Sequence, residues 1–358
     1  MTAAVHVKKP ILNWQFGPKA RQHIQQNGFS AADIGMMLGA SGGPKWLVLA
    51  GLDRALFAEF LPKRTAPLTT LASSIGSWRF AAMAQRDSLA ALDRFLEAYL
   101  AQHYPQKVTV DDVSRVLDEV LAHLLGETGV QEILSHPVYR NHLVTIRSGK
   151  MLGSDHKPVL MAGLAATFLA NLGARTNLGW FCQRAVFGDS RDEIIEFDDQ
   201  LATRHVALSS DNLELALRAS GAVPLVLAGV RDIPGAPRGV YRDGGVTDYH
   251  FDPAVLVPKG LIFYPHFYPY CVPGWFDKAL KRRHYQSGNQ QPAVWQNLVM
   301  VSPSEEFVAS LPGGRIPDRK DFFAMDDHQR LTLWNRTVSE SERLGDAFLE
   351  AVQSQHFF

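Results

Sequence analysis

The chain has 358 residues, 46% of them hydrophobic, so it can bury a large core in one elaborated α/β domain or in a core with an appended segment. Lysine plus arginine equals aspartate plus glutamate at 36 each, so no overall charge attracts nucleic acid or an anionic membrane. The two cysteines, Cys182 and Cys271, lie far apart in apolar or aromatic surroundings, which argues against a disulfide framework or a zinc site and predicts buried free thiols.

Strand-like runs alternate with helical patterns along the chain. The runs lie at 34–39, 68–73, 142–147, 180–187, 203–208, 239–242 and 260–264. Such alternation is typical of a layered α/β/α architecture with a central, mostly parallel sheet. We expect an N-terminal helical segment at 1–31, an α/β domain at 32–268, and a C-terminal extension at 269–358 packed on the core.

The first residues, 1–10, lack the long apolar stretch of a signal peptide, which predicts a protein that stays in the cytoplasm. The longest apolar run, Val159 to Leu172, is too short to span a bilayer and contains Gly163 and Asn171. It predicts a core helix.

A loop of small residues, 39–45, lies between the first strand-like run and an apolar helix predicted at Trp46 to Phe60. Its glycines let backbone N–H groups approach a negatively charged oxygen, as an oxyanion hole requires. A phosphate loop would need a hydroxyl where Trp46 stands and no proline between Gly43 and Lys45. The glycine spacing also differs from the dinucleotide-binding fingerprint.

Ser41, inside this loop, is a possible nucleophile because residues 39–43 read Gly-x-Ser-x-Gly between a strand and a helix. It would need a histidine base in a serine-histidine-aspartate triad. The downstream candidates are His250, His266, His284 and His328. None of these four has a distinguishing sequence context.

Ser74 is the second candidate nucleophile. It follows the strand-like run at 68–73 and precedes a helix near Trp78, which predicts a sharp strand-to-helix turn. Such a turn needs small residues two positions before and after the serine, and Ala72 and Gly76 meet that need. The helix would direct its free N–H groups at an anion formed there. Alternatively, the serine merely caps the helix.

A long helical block runs from Leu89 to Leu134, with caps suggested by Asp87-Ser88 and Asp111-Asp112. The block follows the helix predicted after Ser74. We expect either a cap over a substrate pocket or helices that serve as scaffold.

Asp243 begins an Asp-Gly-Gly string at the end of the strand-like run 239–242. Alternatively, the string is an ordinary turn at the end of a strand and has no catalytic role. Residues 219–224, Ala-Ser-Gly-Ala-Val-Pro, follow a helical pattern and precede it.

Aromatic and basic residues follow each other after the last strand-like run. The aromatic stretch 263–270 precedes a second group: Trp275, Phe276, Lys278, Lys281, Arg282 and Arg283. Aromatic rings beside cations suit peripheral contact with an anionic membrane. The alternative is that the aromatic residues pack in the core and the cations form a solvated face.

Taken in order, the loop at 41–46, the elbow around Ser74, the stretch 219–224 and the Asp243 string resemble the patatin-like phospholipases. The resemblance covers roughly residues 32 to 255. It implies a patatin-like α/β fold in which Ser74 is the nucleophile and Asp243 the general base. It also implies an oxyanion hole built by Ser41, Gly42, Gly43 and Lys45.

The activity implied by this resemblance is hydrolysis of carboxylic esters, in a phospholipid or lysophospholipid, through an acyl-enzyme and without a cofactor or metal. Some bacterial members of the family are exported without a cleaved signal, so such export stays open for this chain.

Four positions depart from the family pattern: Ser41 and Trp46 replace loop glycines, Lys45 replaces an arginine, and Ala72 replaces an elbow glycine. Lysine keeps the charge but loses the guanidinium fork, and tryptophan adds bulk beside the loop. A catalytically quiet lipid- or protein-binding module of the same fold is therefore an alternative to an enzyme.

Overall fold

The structure is a computed structural model that describes residues 10–105, 107–256, 259–286 and 295–357. Its strands are β1 (Leu12–Phe16), β2 (Ile34–Gly39), β3 (Leu68–Ser73), β4 (Tyr139–Ser148), β5 (Cys182–Gly188), β6 (Thr203–Ala207), β7 (Val230–Arg231), β8 (Val240–Asp243), β9 (Leu261–Pro265), β10 (Tyr270–Cys271), β11 (Tyr285–Gln286) and β12 (Leu298–Pro303). Its α-helices are α1 (Pro18–Asn27), α2 (Ala50–Ala55), α3 (Ile75–Met83), α4 (Ser88–Leu100), α5 (Val110–Leu125), α6 (Gly129–Ser135), α7 (Lys157–Gly173), α8 (Leu213–Ser220), α9 (Glu305–Ser310), α10 (Asp321–Ala324) and α11 (Asp327–Ser354).

One large sheet organises the fold, with strand order β1-β12-β9-β2-β3-β4-β5-β6 and the β7–β8 pair joined to β4. The pairs from β12 through β9, β2 and β3 to β4 are parallel, as is β5 with β6. All seven predicted runs are strands of this sheet. The predicted mixed α/β fold with a central, mostly parallel sheet is confirmed.

The positions of the candidate site residues depend on where three strands, β2, β3 and β8, end. β2 and β3 are parallel, with Gly39 opposite Ala72, so the segments after them leave the same edge of the sheet. β4 pairs with β3 as far as Val144 and, beyond the end of β3 on the same edge, pairs antiparallel with β8, where Thr145 faces Asp243. The opposite edge of β4 pairs with β5. Ligands of open α/β sheets bind outside the carboxyl ends of parallel strands.

The chain between β2 and β3 is helical from Gly43 to Phe60, but not as the single α-helix predicted for Trp46 to Phe60. A 3₁₀-helix over Gly43–Leu49 leads into α2, and a π-helical turn over Leu56–Phe60 follows. Pro44 stands in the first turn of this stretch, where its missing N–H costs nothing.

Three strands of the sheet were not predicted: β1, β7 and β12. The described part of the segment predicted as helical, 10–31, contains β1 as well as α1, and residues 1–9 lie outside the described residues. The predicted C-terminal extension contributes β12, which lies between β1 and β9. The sheet therefore draws on all three predicted segments, whose boundaries stay a prediction.

Helix α7 differs from the core helix predicted at Val159 to Leu172. Its buried face includes Asn171, which donates a hydrogen bond to Asp277 (2.8 Å), whereas Met161 and Leu169 are exposed. Apolar composition without an amphipathic period marked the segment as buried, but one side of the helix faces solvent. No helix in the described part of the chain is long and apolar enough to cross a membrane.

A buried ion pair fixes the two helices that carry the candidate site. Arg79, on α3, donates two hydrogen bonds to Asp53, on α2, at 2.7 and 2.5 Å. Both side chains are at most 1% exposed. Because α3 follows Ser74 and α2 follows the 39–45 loop, the pair holds the two segments in one relative position.

We expect Asp53→Ala to lower the free energy of unfolding by about 3–5 kcal/mol, because it leaves the Arg79 guanidinium buried without its partner. Urea denaturation measures the change. The matched control is Glu119→Ala, which removes the exposed ion pair between Arg115 and Glu119 on α5 and should cost less than about 1 kcal/mol. Equal losses in the two variants would contradict this prediction.

Candidate active site

Ser74 lies at the turn between β3 and α3 with φ 56° and ψ −130°, a conformation that is costly for a residue with a side chain. Its N–H donates a hydrogen bond to Ser220 Oγ (2.9 Å), and its carbonyl accepts one from the Ser77 N–H (2.9 Å). These bonds hold the turn in a conformation that exposes the hydroxyl of Ser74 to a pocket. The predicted strand-to-helix elbow is present.

The small residues around the elbow have steric reasons. A Cβ on Gly76 would lie 2.4 Å from the carbonyl carbon and oxygen of Gly39, so α3 passes directly against the end of β2. A Cβ on Gly39 would lie 2.8 Å from the Ala72 methyl group. The alanine that replaces the family's glycine at 72 therefore fits because its neighbour across the sheet has no side chain.

The hydroxyl of Ser74 donates a hydrogen bond to Asp243 Oδ2 at 2.7 Å. The other carboxylate oxygen of Asp243 accepts the Gly245 N–H at 2.6 Å. A Cβ at Gly244 would lie 2.2 Å from the Val144 carbonyl oxygen, and one at Gly245 would lie 2.8 Å from Asp243 Oδ1. Both glycines are thus required for the carboxylate to reach Ser74, beyond the needs of an ordinary turn.

Burial raises the pKa of the Asp243 carboxyl to about 6. The hydrogen bonds from Ser74 and Gly245 and the charges of Arg319 and Lys278 oppose that rise. Asp243 is only 5% exposed. It therefore stays ionised at neutral pH but is a stronger base than an exposed aspartate, whose pKa is about 3.9.

Two of the three glycines in the 39–45 loop lie at the pocket of Ser74. Gly42 and Gly43 line the same small pocket as Ser74 and Asp243. Among the described residues, neither N–H has a hydrogen-bond partner. Gly43 has φ +56°, and a Cβ at Gly42 would lie 2.7 Å from the Phe267 ring, so both positions need glycine.

Two residues predicted for the oxyanion hole are engaged elsewhere. The Ser41 N–H donates to the Tyr249 carbonyl (2.9 Å), and its hydroxyl donates to Ser73 Oγ (2.9 Å). The ammonium group of Lys45 forms an ion pair with Asp318. Neither the Ser41 amide nor the Lys45 side chain is free to bind an oxyanion.

The alternative triad centred on Ser41 lacks a base in this geometry. Within the described residues, no hydrogen bond links Ser41 to any of the four candidate histidines. His250 and His266 are fully buried, with ring centroids 4.3 Å apart, and His328 is exposed on α11. The triad alternative therefore finds no support in the arrangement of these side chains.

Ser220 is a supporting residue that the sequence did not reveal, although the stretch 219–224 stood out. Its hydroxyl accepts the Ser74 N–H and donates to the Val144 carbonyl at 2.8 Å. The Ala222 carbonyl accepts the Asp243 N–H at 3.0 Å. One short segment therefore fixes the backbone of both Ser74 and Asp243.

An apolar cleft with about 810 Å³ of space, part of it open to solvent, begins beside Ser74. One wall comes from the predicted helical block, with Tyr99 at the end of α4 and Val113 and Leu117 on α5. Another part of the lining comes from the C-terminal extension, with Phe322 and Phe323 on α10. The helical block thus lines a cleft next to the candidate nucleophile.

Most of the residues predicted to contact a membrane are buried, paired or line a pocket within the protein. Phe276 is 9% exposed and packs near Phe168 of α7, and the Arg283 guanidinium pairs with Asp277. Trp275 is half-buried and lines the pocket of Ser74. Of the predicted group, Lys281 and Arg282 are exposed cations, and Arg282 donates a hydrogen bond to the Leu172 carbonyl (3.5 Å). Lys278 also lines the pocket of Ser74.

The aromatic stretch 263–270 packs largely in the core, since Phe263, Tyr264 and Phe267 are at most 1% exposed. An aromatic belt at a membrane surface was therefore the wrong interpretation of this stretch, and the alternative of core packing holds. Cys182 and Cys271 are free and buried, as predicted.

Comparison with families of known proteins and with curated proteins gave no match to this chain. Among solved structures, the chain is similar to human GIVD cytosolic phospholipase A2, at 11% sequence identity and a TM-score of 0.43. The superposition covers 98% of this chain and 66% of that protein, so the chain spans less than two thirds of its length.

We expect Ser220→Ala to lower the free energy of unfolding by about 1–3 kcal/mol, because the Ser74 N–H loses its buried acceptor. The same variant should react more slowly with a fluorophosphonate probe, since the hydroxyl of Ser74 is no longer held in position. Denaturation and the rate of labelling measure the two effects. Ser210→Ala, at an exposed serine, is the control, and labelling of Ser220→Ala at the control rate would contradict the prediction.

Proposed function

We propose that this protein is a serine acyl hydrolase that cleaves carboxylic esters of lipids, with Ser74 as nucleophile and Asp243 as general base. The observation that carries the proposal is the 2.7 Å hydrogen bond from the Ser74 hydroxyl to Asp243 at the end of an apolar cleft. The resemblance of the four sequence strings to patatin-like phospholipases agrees with it and favours a phospholipid or lysophospholipid.

In the first half of the reaction, Ser74 Oγ attacks the ester carbonyl while its proton passes to Asp243. The carbonyl oxygen becomes an oxyanion, and the free N–H groups of Gly42 and Gly43 are the donors placed to bind it. Asp243 then gives the proton to the departing alcohol. The product is an ester between the acyl group and Ser74.

In the second half, Asp243 accepts a proton from water, which attacks the acyl-enzyme. The bond between the acyl carbon and Ser74 Oγ then breaks, Asp243 returns the proton to Ser74 Oγ, and the acid is released. The same two amides bind the second oxyanion. Removing one such donor typically costs about 10²–10³ in rate, so the loop amides carry a large share of the catalysis.

A single carboxylate is an adequate base here because of its surroundings. Burial brings the pKa of Asp243 to about 6, nearer to that of the histidine in a triad. The direct hydrogen bond to Ser74 removes the need for an intervening imidazole.

The apolar cleft supports a long acyl chain as the group transferred to Ser74. Its walls are largely hydrophobic and end at the nucleophile. Burying methylene groups there contributes about 0.8 kcal/mol for each group removed from water.

We expect a fluorophosphonate probe to label Ser74 and Ser74→Ala to lose at least about 10³-fold in the hydrolysis of a p-nitrophenyl ester. Asp243→Asn keeps the size of the side chain and should lose about 10²–10⁴-fold. Mass spectrometry of the labelled protein and steady-state kinetics measure these effects.

Ser41→Ala is the control for nucleophile assignment and should still be labelled at Ser74. Label on Ser41 in the wild type would favour the triad alternative. No label anywhere would favour the catalytically quiet binding module.

We expect kcat/KM for an uncharged ester to rise as the pH passes through about 6 and then to level off. The sign follows because Asp243 acts in its ionised form and its pKa is about 6. A pH–rate profile measures the inflection, and Asp243→Asn should lack it. A wild-type profile that is flat across that range would contradict this assignment of the base.

A further inference from the structure

Two cations in the pocket of Ser74 have no anionic partner. Arg319 and Lys278 line this pocket together with Asp243. Within the described ranges, neither side chain forms an ion pair or a hydrogen bond. The ammonium nitrogen of Lys278 lies 3.7 Å from the centroid of the Tyr249 ring, a cation–π contact that leaves its charge unneutralised.

The charges around the pocket do not balance. Lys45, Lys278 and Arg319 supply three positive charges, whereas Asp318 and Asp243 supply two negative ones. Asp318 is taken by Lys45, and Asp243 accepts from Ser74 and Gly245. One positive charge is therefore in excess when Lys278 is protonated.

The excess of positive charge acts on Lys278. Part of Lys278 is exposed, but burial of its ammonium group and the nearby charges of Lys45 and Arg319 lower its pKa to about 7. A buried charge is stabilised by a partner of opposite sign. A bound anion would supply that partner.

The position of Arg319 relates this charge to the substrate. Arg319, Ser74 and Gly43 line both the apolar cleft and the small cationic pocket, so the two spaces meet at the nucleophile. An ester carbonyl at Ser74 would have its acyl chain in the cleft and its alcohol portion toward the cations. A Cβ on Gly43 would lie 3.8 Å from Arg319 Nη2, so the guanidinium is beside the loop amides.

We propose that Arg319 and Lys278 form an anion-binding subsite that selects esters whose alcohol portion carries a phosphate or carboxylate group. The inference rests on the proposed function for the position of the ester. Arginine suits this role because its planar fork donates two parallel hydrogen bonds to such an oxyanion. Both residues lie in the C-terminal region that the patatin-like resemblance does not cover.

Hydrolysis of matched substrates tests the subsite. A monoacylglycerol, the same compound with a phosphate on its glycerol, and the corresponding acyl ester of glyceric acid differ mainly in the anionic group. We expect wild-type kcat/KM to be higher for at least one anionic ester than for the neutral one. The phosphate and carboxylate arms show which oxyanion is preferred.

The variants Arg319→Gln and Lys278→Gln should each lower the ratio of anionic to neutral kcat/KM about tenfold or more, the usual effect of losing a charge-assisted hydrogen bond. The ratio is the readout because both cations also lower the pKa of Asp243 and so affect every substrate. Lys281→Gln and Arg282→Gln, at exposed cations, should leave the ratio unchanged. No preference for either anionic ester, or an equal fall in the control variants, would overturn the inference.

Binding to Ser74→Ala separates this inference from the proposed function. Equilibrium dialysis below the micelle concentration should give tighter binding of an anionic ester than of the monoacylglycerol, and Arg319→Gln in the same background should abolish the difference. If no ester is hydrolysed by the wild type but this difference is found, the proposed function fails and the subsite stands. Equal affinities in Ser74→Ala would overturn the subsite even where hydrolysis is observed.

Discussion

The strained backbone of Ser74 is the constraint on which the candidate site depends. A residue with a side chain at φ 56° costs about 1–3 kcal/mol and persists only where its surroundings enforce it. Here the Ser220 hydroxyl accepts a hydrogen bond from the Ser74 N–H. The close contact of Gly76 with Gly39 also fixes the direction in which α3 leaves the sheet. Only with this turn in place does the Ser74 hydroxyl reach Asp243.

The sequence revealed the parts of the site that show as short runs of small residues. The loop at Gly42, the elbow at Ser74 and the Asp-Gly-Gly string are visible in this way, although the atoms that require glycine there, such as the Phe267 ring beside Gly42 and the Val144 carbonyl beside Gly244, come from distant positions. Arg319 and Lys278 were missed as site residues because their proximity to Ser74 arises from tertiary packing, and no short spacing encodes it. β12 was missed for a different reason, because an apolar run of this length is equally typical of a buried helix segment.

The departures from the patatin-like pattern have partners within the fold. The methyl group of Ala72 faces Gly39, and Trp46 turns away from the loop to stack on Phe95 with ring centroids 4.5 Å apart. Lys45 is paired with Asp318, which directly precedes Arg319. The positive charge of Lys45, where the patatin-like pattern has an arginine, is therefore neutralised by Asp318. Arg319, from the C-terminal region, lines the pocket instead.

The short helix α10 lines the cleft with Phe322 and Phe323 and is anchored through its first residue. Asp321, its first residue, accepts hydrogen bonds from Trp334 on α11 (2.9 Å) and from Arg315 (2.6 Å). The shape of the cleft beside Ser74 therefore depends on the bonds that hold this helix. Substitutions at Trp334 or Arg315 would reshape the cleft while leaving Ser74 and Asp243 unchanged.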